Sequence, residues 1–355
     1  MRRTPLDAWI AARLGLPDLA PDAVEARQLE ALRRTLAHAA RHSPFHRQRL
    51  ADLPPGFPAR RADMAALPLT TAEDLAARGE AMLCVSGGEI ARVVTLETSG
   101  TSGPPKRLFF TPEDIEATLD FFAVGMSTLA GAGDAVLVLL PGRRPDGVAD
   151  LLARALPRIA ARAVLPPESW TAGDLVRLMK REGVTRMVAA PSQLRGLLDD
   201  AEFSRAARAR LAALLSSAEP LDAGLRADLE RAWGCEVFDH WGMTETGWGG
   251  GVECAAHAGY HPRMADLFLE VIDPLTAAPL PLGEPGELVL STLNRRGMPL
   301  IRYRTGDAAR LLPGPCPCGC PLPRLETVPG RIEPHGAGWR TVHPRKGKRC
   351  ICNDF

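Results

Sequence analysis

The chain has 355 residues, 46% of them hydrophobic, which favours a globular protein of one large domain or two ordinary ones. Its 43 Lys and Arg residues balance 42 Asp and Glu residues, so no excess charge is available for a nucleic-acid backbone or an anionic membrane surface. No apolar run approaches the roughly 18 residues of a membrane span, and Asp7 and Arg13 interrupt any N-terminal secretory segment. We therefore expect a cytoplasmic protein that binds small molecules, with no nucleic-acid or membrane partner.

Helices are predicted at the start of the chain. Residues 22–51 have helical periodicity, which Ser43-Pro44 interrupts, and we assign residues 1–92 to a helical entry segment of a larger domain. From residue 93 a short apolar strand leads into a Gly/Ser/Thr loop. An apolar patch at 108–110 follows, and then a helix that begins at Thr111-Pro112-Glu113.

Strands and helices then alternate. Strands are predicted at 134–140, 184–190 and 236–240, and helices at 174–182 and 222–233, where Gly183 and Gly234 end them. Such alternation indicates βαβ units, so residues 93–264 are predicted to form an α/β nucleotide-binding core of largely parallel sheets flanked by helices.

The sequence pattern changes again after residue 264. Short strands at 267–272, 286–293 and 299–304, separated by turn signals, predict a small β-rich subdomain over residues 265–334. Residues 335–355 lack periodicity and are rich in Lys and Arg, which predicts an irregular basic tail.

The strongest chemical signal is the loop Thr98-Ser99-Gly100-Thr101-Ser102-Gly103-Pro104-Pro105-Lys106. Glycines let backbone N–H groups approach phosphate oxygens, the hydroxyls add donors, and the lysine supplies a positive charge. The spacing is not that of a Walker loop. A flexible surface loop is the alternative interpretation.

This loop resembles the phosphate loop of the adenylate-forming superfamily, which includes acyl-CoA synthetases. Three further segments resemble other motifs of that superfamily, and they occur in the same order along the chain: Ser217-Ala218-Glu219-Pro220, Trp241-Gly242-Met243-Thr244-Glu245 and Tyr303-Arg304-Thr305-Gly306-Asp307. The resemblance implies the large N-terminal domain of such an enzyme, which binds ATP, AMP and Mg²⁺.

The resemblance also implies site residues. Lys106, Thr244 and Glu245 would be catalytic, with Lys106 and Thr244 on the phosphates and Glu245 on Mg²⁺, and Asp307 would accept the ribose hydroxyls. Contacts to the nucleotide would come from Ser99, Gly100, Thr101, Ser102, Gly103, Ala218, Glu219, Pro220, Trp241, Gly242, Met243 and Arg331. Taken singly, Trp241 could equally be a core aromatic residue and Asp307 a turn residue.

The branch that this chain resembles is that of the phenylacetate-CoA ligases. The segments that carry this similarity are Ser43-Pro44-Phe45, Glu253-Cys254, Gly259-Tyr260-His261, Met298–Arg302 and Cys316–Gly319. It implies activation of an organic carboxylate, with aryl acids as one candidate class, to an acyl-adenylate and transfer to CoA. The residues do not name the acid, and a homodimer is one open form of assembly.

Cysteines predict a metal site. Cys254, His261, Cys316 and Cys318 would form a tetrahedral Cys₃His set for a structural zinc ion. His257 is an alternative to His261, and Cys320 to Cys318. The alternative without a metal ion is a group of free thiols beside a surface histidine.

The C-terminal lid domain of the superfamily is not predicted within this sequence. Gly330-Arg331 resembles the superfamily's Gly-Arg pair before the hinge, but Ile332-Glu333-Pro334 departs from the acidic residues that usually follow. We therefore expect nucleotide binding and weak ligase activity from this polypeptide alone. The alternatives are an AMP/ATP-binding homologue without ligase activity and a subunit that takes its lid from another chain.

Overall fold

The structure is a computed structural model that describes residues 3–96, 105–336 and 338–342. The predicted phosphate-loop residues Ser99, Gly100, Thr101, Ser102 and Gly103 lie outside these ranges, whereas Lys106 lies inside them. Among the helices of the described ranges, none has the length and apolar character needed to cross a membrane.

The N-terminal part of the chain is rich in helices. It contains α1 (Pro5–Leu14), α2 (Pro21–His42), α3 (Pro44–Arg49) and α4 (Ala72–Arg78). Each begins where a proline or a capping side chain favours it; the Thr4 hydroxyl, for example, accepts from the Leu6 N–H. The apolar face of α2 packs against Phe268 and Ile301 of the β-rich region. The N-terminal helices and the C-terminal strands therefore share one hydrophobic core.

A two-stranded antiparallel sheet holds the ends of the predicted phosphate loop. β1 (Arg92–Leu96) pairs with β2 (Lys106–Phe110), and Leu96 is directly opposite Lys106. Next comes α5 (Pro112–Met126), whose first turn has a capping box formed by Thr111 and Asp114. The chain segments on both sides of residues 97–104 are thus fixed by hydrogen bonds.

Five parallel strands form one part of a larger sheet. They are β3 (Ala135–Val138), β4 (Arg162–Val164), β5 (Arg186–Ala189), β6 (Ala213–Ser216) and β7 (Glu236–Trp241), in the order β4-β3-β5-β6-β7. Alternate residues of β3 enter two different hydrophobic clusters, so both faces of the sheet are covered. The connecting helices are α6 (Val148–Ala155), α7 (Ala172–Glu182), α8 (Pro191–Leu198), α9 (Ala201–Arg210) and α10 (Ala223–Trp233).

The predicted helix ends are confirmed. Helix α7 ends at Gly183 and α10 ends at Gly234, and both glycines have positive φ. A left-handed residue after the last turn satisfies terminal carbonyl groups, and glycine adopts it without a Cβ penalty.

Antiparallel strands continue this sheet beyond β7. They are β8 (Gly251–Glu253), β9 (Tyr260–Pro262), β10 (Leu267–Ile272), β11 (Gly286–Thr292), β12 (Tyr303–Leu312), β13 (Arg324–His335) and β14 (Gly338–Val342). Their order from β7 is β8-β9-β13-β12-β11-β10, and β14 pairs with β13. The α/β class with a β-rich part is confirmed. The hydrogen-bonded sheet, however, runs across the division that the sequence suggested at 264/265.

Two sequence predictions differ from the structure. The predicted strand 299–304 begins only at Tyr303, because Pro299 has no N–H to donate and Arg302 adopts a φ of 44°. The predicted irregular tail contains β14, which owes its order to pairing with β13 rather than to its own periodicity. Residues 343–355 lie outside the described ranges.

Candidate active site

Lys106 and Glu245 meet at the centre of the candidate site. Lys106 begins β2, and Glu245 lies in the 3₁₀ turn Thr244–Thr246 that follows β7. The Lys106 Nζ atom is 2.7 Å from Glu245 Oε1, and the Tyr303 hydroxyl donates to the same oxygen at 3.0 Å. Glu245 is only 2% exposed, so the Lys106 ammonium and the Tyr303 phenol provide its carboxylate with the hydrogen bonds that water would otherwise donate.

Tyr303 belongs to one of the sequence motifs but has no predicted role there. It begins β12 with a side chain that is buried, and its hydroxyl is 3.4 Å from Lys106 Nζ. Burial, followed by the nearby Glu245 charge, raises the pKa of Tyr303, so the phenol stays protonated and acts as a donor. A tyrosine within a motif that also carries an acidic site residue was the signal that could have found it.

Asp307 and Arg331 form a second pair next to this cluster. They are directly opposite each other in β12 and β13, and Arg331 Nη1 is 2.7 Å from Asp307 Oδ1. Burial raises the pKa of Asp307, and the charge of Arg331 opposes that effect. A Cβ at Gly306 would lie 2.6 Å from Arg331 Nη2, so glycine at this positive-φ position leaves room for the guanidinium. Two residues that the resemblance assigned to the nucleotide are thus brought together.

The segment Ser217–Pro220 follows β6 at the carboxyl edge of the parallel strands. Such edges, outside the strand ends, are where open α/β sheets bind ligands. Glu219 accepts hydrogen bonds from the Ser192 N–H at 3.0 Å and from the Ser192 hydroxyl at 2.8 Å, which anchors the segment to the start of α8. Ala218 has a φ of 72°, and both Ala218 and Pro220 are exposed, whereas Glu219 is half-buried.

Ser217 and His240 add a contact that the sequence did not predict. The Ser217 hydroxyl lies 3.1 Å from His240 Nδ1, at the ends of the adjacent strands β6 and β7. Burial lowers the pKa of His240 to about 4, so this imidazole is neutral at physiological pH.

Trp241, which the resemblance assigns to the nucleotide, is largely buried. It is 8% exposed and belongs to the main hydrophobic cluster. A Cβ at Gly250 would lie 2.2 Å from the indole ring, so the ring rests on the Gly250 backbone. Gly242 is exposed, and Met243 and Thr244 are half-buried. The exposed part of this motif is therefore the backbone after Trp241.

Arg295 is a further residue near the site that sequence analysis missed. Its guanidinium lies over the Phe110 ring at 5.2 Å, and Phe110 stacks on Trp248 with ring centroids 4.6 Å apart. Burial lowers the pKa of Arg295 to about 10, against the opposing charge of Asp114. The local sequence Asn294-Arg295-Arg296 holds no motif that separates this arginine from its neighbour.

The four predicted zinc ligands converge in a separate buried cluster. Their candidate ligand atoms all lie within 4.8 Å of one another: Cys254, His261, Cys316 and Cys318. Cys254 Sγ is 3.7 Å from Cys316 Sγ, and Cys318 Sγ is 3.7 Å from His261 Nε2. A tetrahedral zinc ion with Zn–S bonds of about 2.3 Å would separate two sulfur atoms by about 3.8 Å. The geometry therefore fits this metal.

The two alternative ligands have other partners. His257 contacts Glu253 at 3.1 Å, Glu236 at 3.2 Å and Arg226 at 3.0 Å. Its hydrogen bond to Glu253 raises the pKa of His257, although burial opposes it. Cys320 lies in a different group, with Asp7 and His261. The geometry thus favours His261 and Cys318 over both alternatives.

Comparison with known proteins adds to this geometry. The model of the AMP-binding enzyme family matches residues 93–294, which run from β1 past the 3₁₀ turn that holds Glu245. The chain belongs to the AMP-binding enzyme family.

Two named relatives align with most of the chain. Phenylacetate-coenzyme A ligase from Pseudomonas putida is 31% identical over 88% of this chain and 71% of its own length. The ligase of the same name from Escherichia coli K12 is 28% identical over 88% of this chain and 72% of its own length.

A solved structure confirms the fold. The open conformation of 2-hydroxyisobutyryl-CoA ligase, crystallised with 2-HIB-AMP and CoA, superposes with a TM-score of 0.73. The alignment covers 86% of this chain and 74% of that one at 23% identity. At this identity the likeness concerns the fold, and it confirms the α/β architecture expected from the sequence.

Proposed function

We propose that this chain activates an organic carboxylate with ATP and transfers the acyl group to CoA. The observation that carries the proposal is the convergence of Lys106 and Glu245 beside the Asp307–Arg331 pair, at the carboxyl edge of the parallel strands. The family match and the relatives named phenylacetate-coenzyme A ligase support the same reaction.

The reaction has two steps. A carboxylate oxygen attacks the α-phosphorus of ATP, and the bond between this phosphorus and the oxygen that bridges it to the β-phosphorus breaks. Pyrophosphate is released, and an acyl-adenylate is formed. The CoA thiolate then attacks the acyl carbonyl carbon, and AMP leaves. The protein contributes by positioning the reactants and by neutralising the charge on the phosphates.

Phosphate binding is assigned to Lys106, with Thr244 and the loop residues Ser99, Gly100, Thr101, Ser102 and Gly103. Lys106 has three N–H donors, and the length and flexibility of its side chain let it exchange the contact with Glu245 for one with a phosphate. The ribose is assigned to Asp307, whose carboxylate is held by Arg331 on the neighbouring strand. The base is assigned to the segments Ala218-Glu219-Pro220 and Trp241-Gly242-Met243.

Magnesium is assigned to Glu245. A single buried carboxylate, completed by substrate phosphates and water, suits the coordination that Mg²⁺ prefers. The bound ion would withdraw negative charge from the phosphates. The chain's own part is to hold the carboxylate just after β7, where Tyr303 donates a hydrogen bond to it.

Zinc is assigned to the buried Cys254, His261, Cys316 and Cys318 cluster. A closed set of four protein ligands is typical of a structural ion, which would tie the β8–β9 segment to the loop after β12. We also propose a cytoplasmic location and a homodimer, which cell fractionation and light scattering would test.

The proposed reaction is tested by the exchange of radioactive pyrophosphate into ATP in the presence of a carboxylic acid substrate. We expect exchange with at least one member of a panel of aryl and aliphatic acids. Lys106→Ala should reduce it strongly, whereas Arg107→Ala, which alters an exposed residue paired with Glu80, should not. Thioester formation with CoA then tests the second step. Nucleotide binding without exchange by any acid would favour the alternative of a binding protein that lacks ligase activity.

A further inference from the structure

Asp7 is a buried carboxylate beside the proposed zinc cluster. It lies in the first turn of α1 and is 6% exposed, and the Arg3 guanidinium binds its Oδ2 atom. Its Oδ1 atom is buried and has no hydrogen-bond partner of normal geometry among the described residues. A buried carboxylate oxygen without a donor costs free energy, so a donor is expected to face it in the functional state.

The group that Asp7 can serve is His261. A carboxylate oxygen of Asp7, a ring nitrogen of His261 and the sulfur of Cys320 lie within 4.8 Å of one another. The Cys320 thiol can offer only a weak S–H donor. His261 already faces Cys318 through Nε2, at 3.7 Å. A metal-bound imidazole uses one ring nitrogen for the metal and has an N–H on the other, and that N–H commonly donates to a carboxylate.

Helix α1 begins beside the cluster. Thr4 caps α1, and Asp7 follows in its first turn. The Asp7 carboxylate therefore comes from a segment that holds none of the four proposed ligands.

We propose that Asp7 is a positioning residue of the zinc site: it accepts the Nδ1–H of His261, directly or through one water, and orients Nε2 toward the metal. The inference rests on the proposed zinc ion. It implies that the zinc ion connects three segments. The metal joins β9 to the loop after β12 through its ligands, and the Asp7–His261 contact adds α1. An Asp7 carboxylate that acts only within α1, through Arg3, is the competing explanation.

Zinc affinity of the full-length chain tests the proposal. Zinc content is measured first, and the metal is then titrated against a chromophoric chelator for the wild type, Asp7→Asn and Asp7→Leu. Loss of this kind of partner typically weakens metal binding by about 10- to 100-fold. We expect a loss of that size for Asp7→Leu and a smaller one for Asp7→Asn, because the Asn carbonyl can still accept the N–H.

Two controls separate metal positioning from the stability of α1. Ile10→Ala removes a buried side chain one turn along the helix, and Arg3→Ala removes the partner of Oδ2. Both should bind zinc within about threefold of the wild type, whereas weakening by Ile10→Ala equal to that by Asp7→Leu would overturn the proposal. Unchanged affinity in Asp7→Leu would overturn it too. A wild-type chain without zinc would instead show that the proposed metal site is wrong.

Discussion

The Lys106 ammonium lies 2.7 Å from the Glu245 carboxylate, although 139 residues separate them in the chain. These are the two groups assigned to the phosphates of ATP and to Mg²⁺. In this arrangement they neutralise each other in a buried setting, which avoids two uncompensated charges. In the proposed binding mode, Mg²⁺ and ATP would exchange this internal pair for a lysine–phosphate and a carboxylate–metal contact.

Lys106→Ala should weaken ATP binding by about 10- to 100-fold, because a charge-assisted hydrogen bond contributes about 1.5–3 kcal/mol. Adenosine, which has no phosphate, should bind almost unchanged. Calorimetric titration of both ligands measures the difference, with Arg107→Ala as the neighbouring control. Equal weakening of ATP and adenosine would contradict the assignment of Lys106 to the phosphates.

Asp307→Ala should weaken ATP binding by about tenfold or more, since a carboxylate acceptor for the ribose hydroxyls would be lost. The same substitution should have little effect on 2′,3′-dideoxy-ATP, which lacks both hydroxyls. The affinities of the two nucleotides for wild type and variant form a double-mutant cycle. Glu326→Ala, at a partly exposed position of β13 paired with Arg310, is the control. An equal loss for both nucleotides would show that Asp307 does not contact the ribose.

One zinc ion per chain is expected by elemental analysis of protein purified without added metal. Cys316→Ser should lose most of the zinc and lower the melting temperature, because a structural ion adds its binding free energy to folding. Cys84→Ser, at a buried thiol outside the cluster, is the control. Cys320→Ser should retain the metal, and full zinc in Cys316→Ser would exclude that ligand.

Acid should destabilise the fold in part through His46. Burial lowers the pKa of this imidazole from its usual 6.5 to about 4, while a hydrogen bond to the Pro299 carbonyl opposes the shift. Because the folded state keeps His46 neutral, the contribution of this residue to the free energy of unfolding is complete above pH 6.5 and is lost as the pH falls toward 4. Relative to neutral pH, the free energy of unfolding should be lower by about 2 kcal/mol at pH 5.

Urea unfolding at pH 7 and pH 5 measures this contribution. His46→Gln should reduce the difference in unfolding free energy between the two pH values by about 2 kcal/mol. The exposed His42, changed to Gln, should leave that difference unchanged. An identical pH dependence in wild type and His46→Gln would show that the buried imidazole does not carry the effect.

Local signals in the sequence are enough for much of the α/β part. The helix that ends at Gly183 and the one that ends at Gly234 are predicted to within a few residues, because caps and apolar periodicity act over one or two turns. The order of four motifs along the chain is likewise sufficient to indicate the family. These features depend on neighbours in the chain, which the sequence displays directly.

Other features require contacts between distant segments. His257 and His261 both lie within a few residues of Cys254, so the sequence alone does not choose between them. In the folded chain His257 contacts Glu253, whereas His261 lies beside Cys318. The burial of Trp241 depends on Gly250, which lies on the far side of a turn. Likewise β14 exists because β13 offers it hydrogen bonds, while its five residues have no pattern of their own.

By itself, the sequence determined the α/β class, the helix ends at Gly183 and Gly234, the family and the set of residues from which the proposed zinc cluster is built. Only the tertiary structure decided that Lys106 pairs with Glu245, that Tyr303 donates to that carboxylate, and that Asp7 from α1 faces the cysteine cluster. The physical reason is that caps and periodicity are set by near neighbours. Burial and the choice of a charged partner instead depend on which distant segments the folded core brings together.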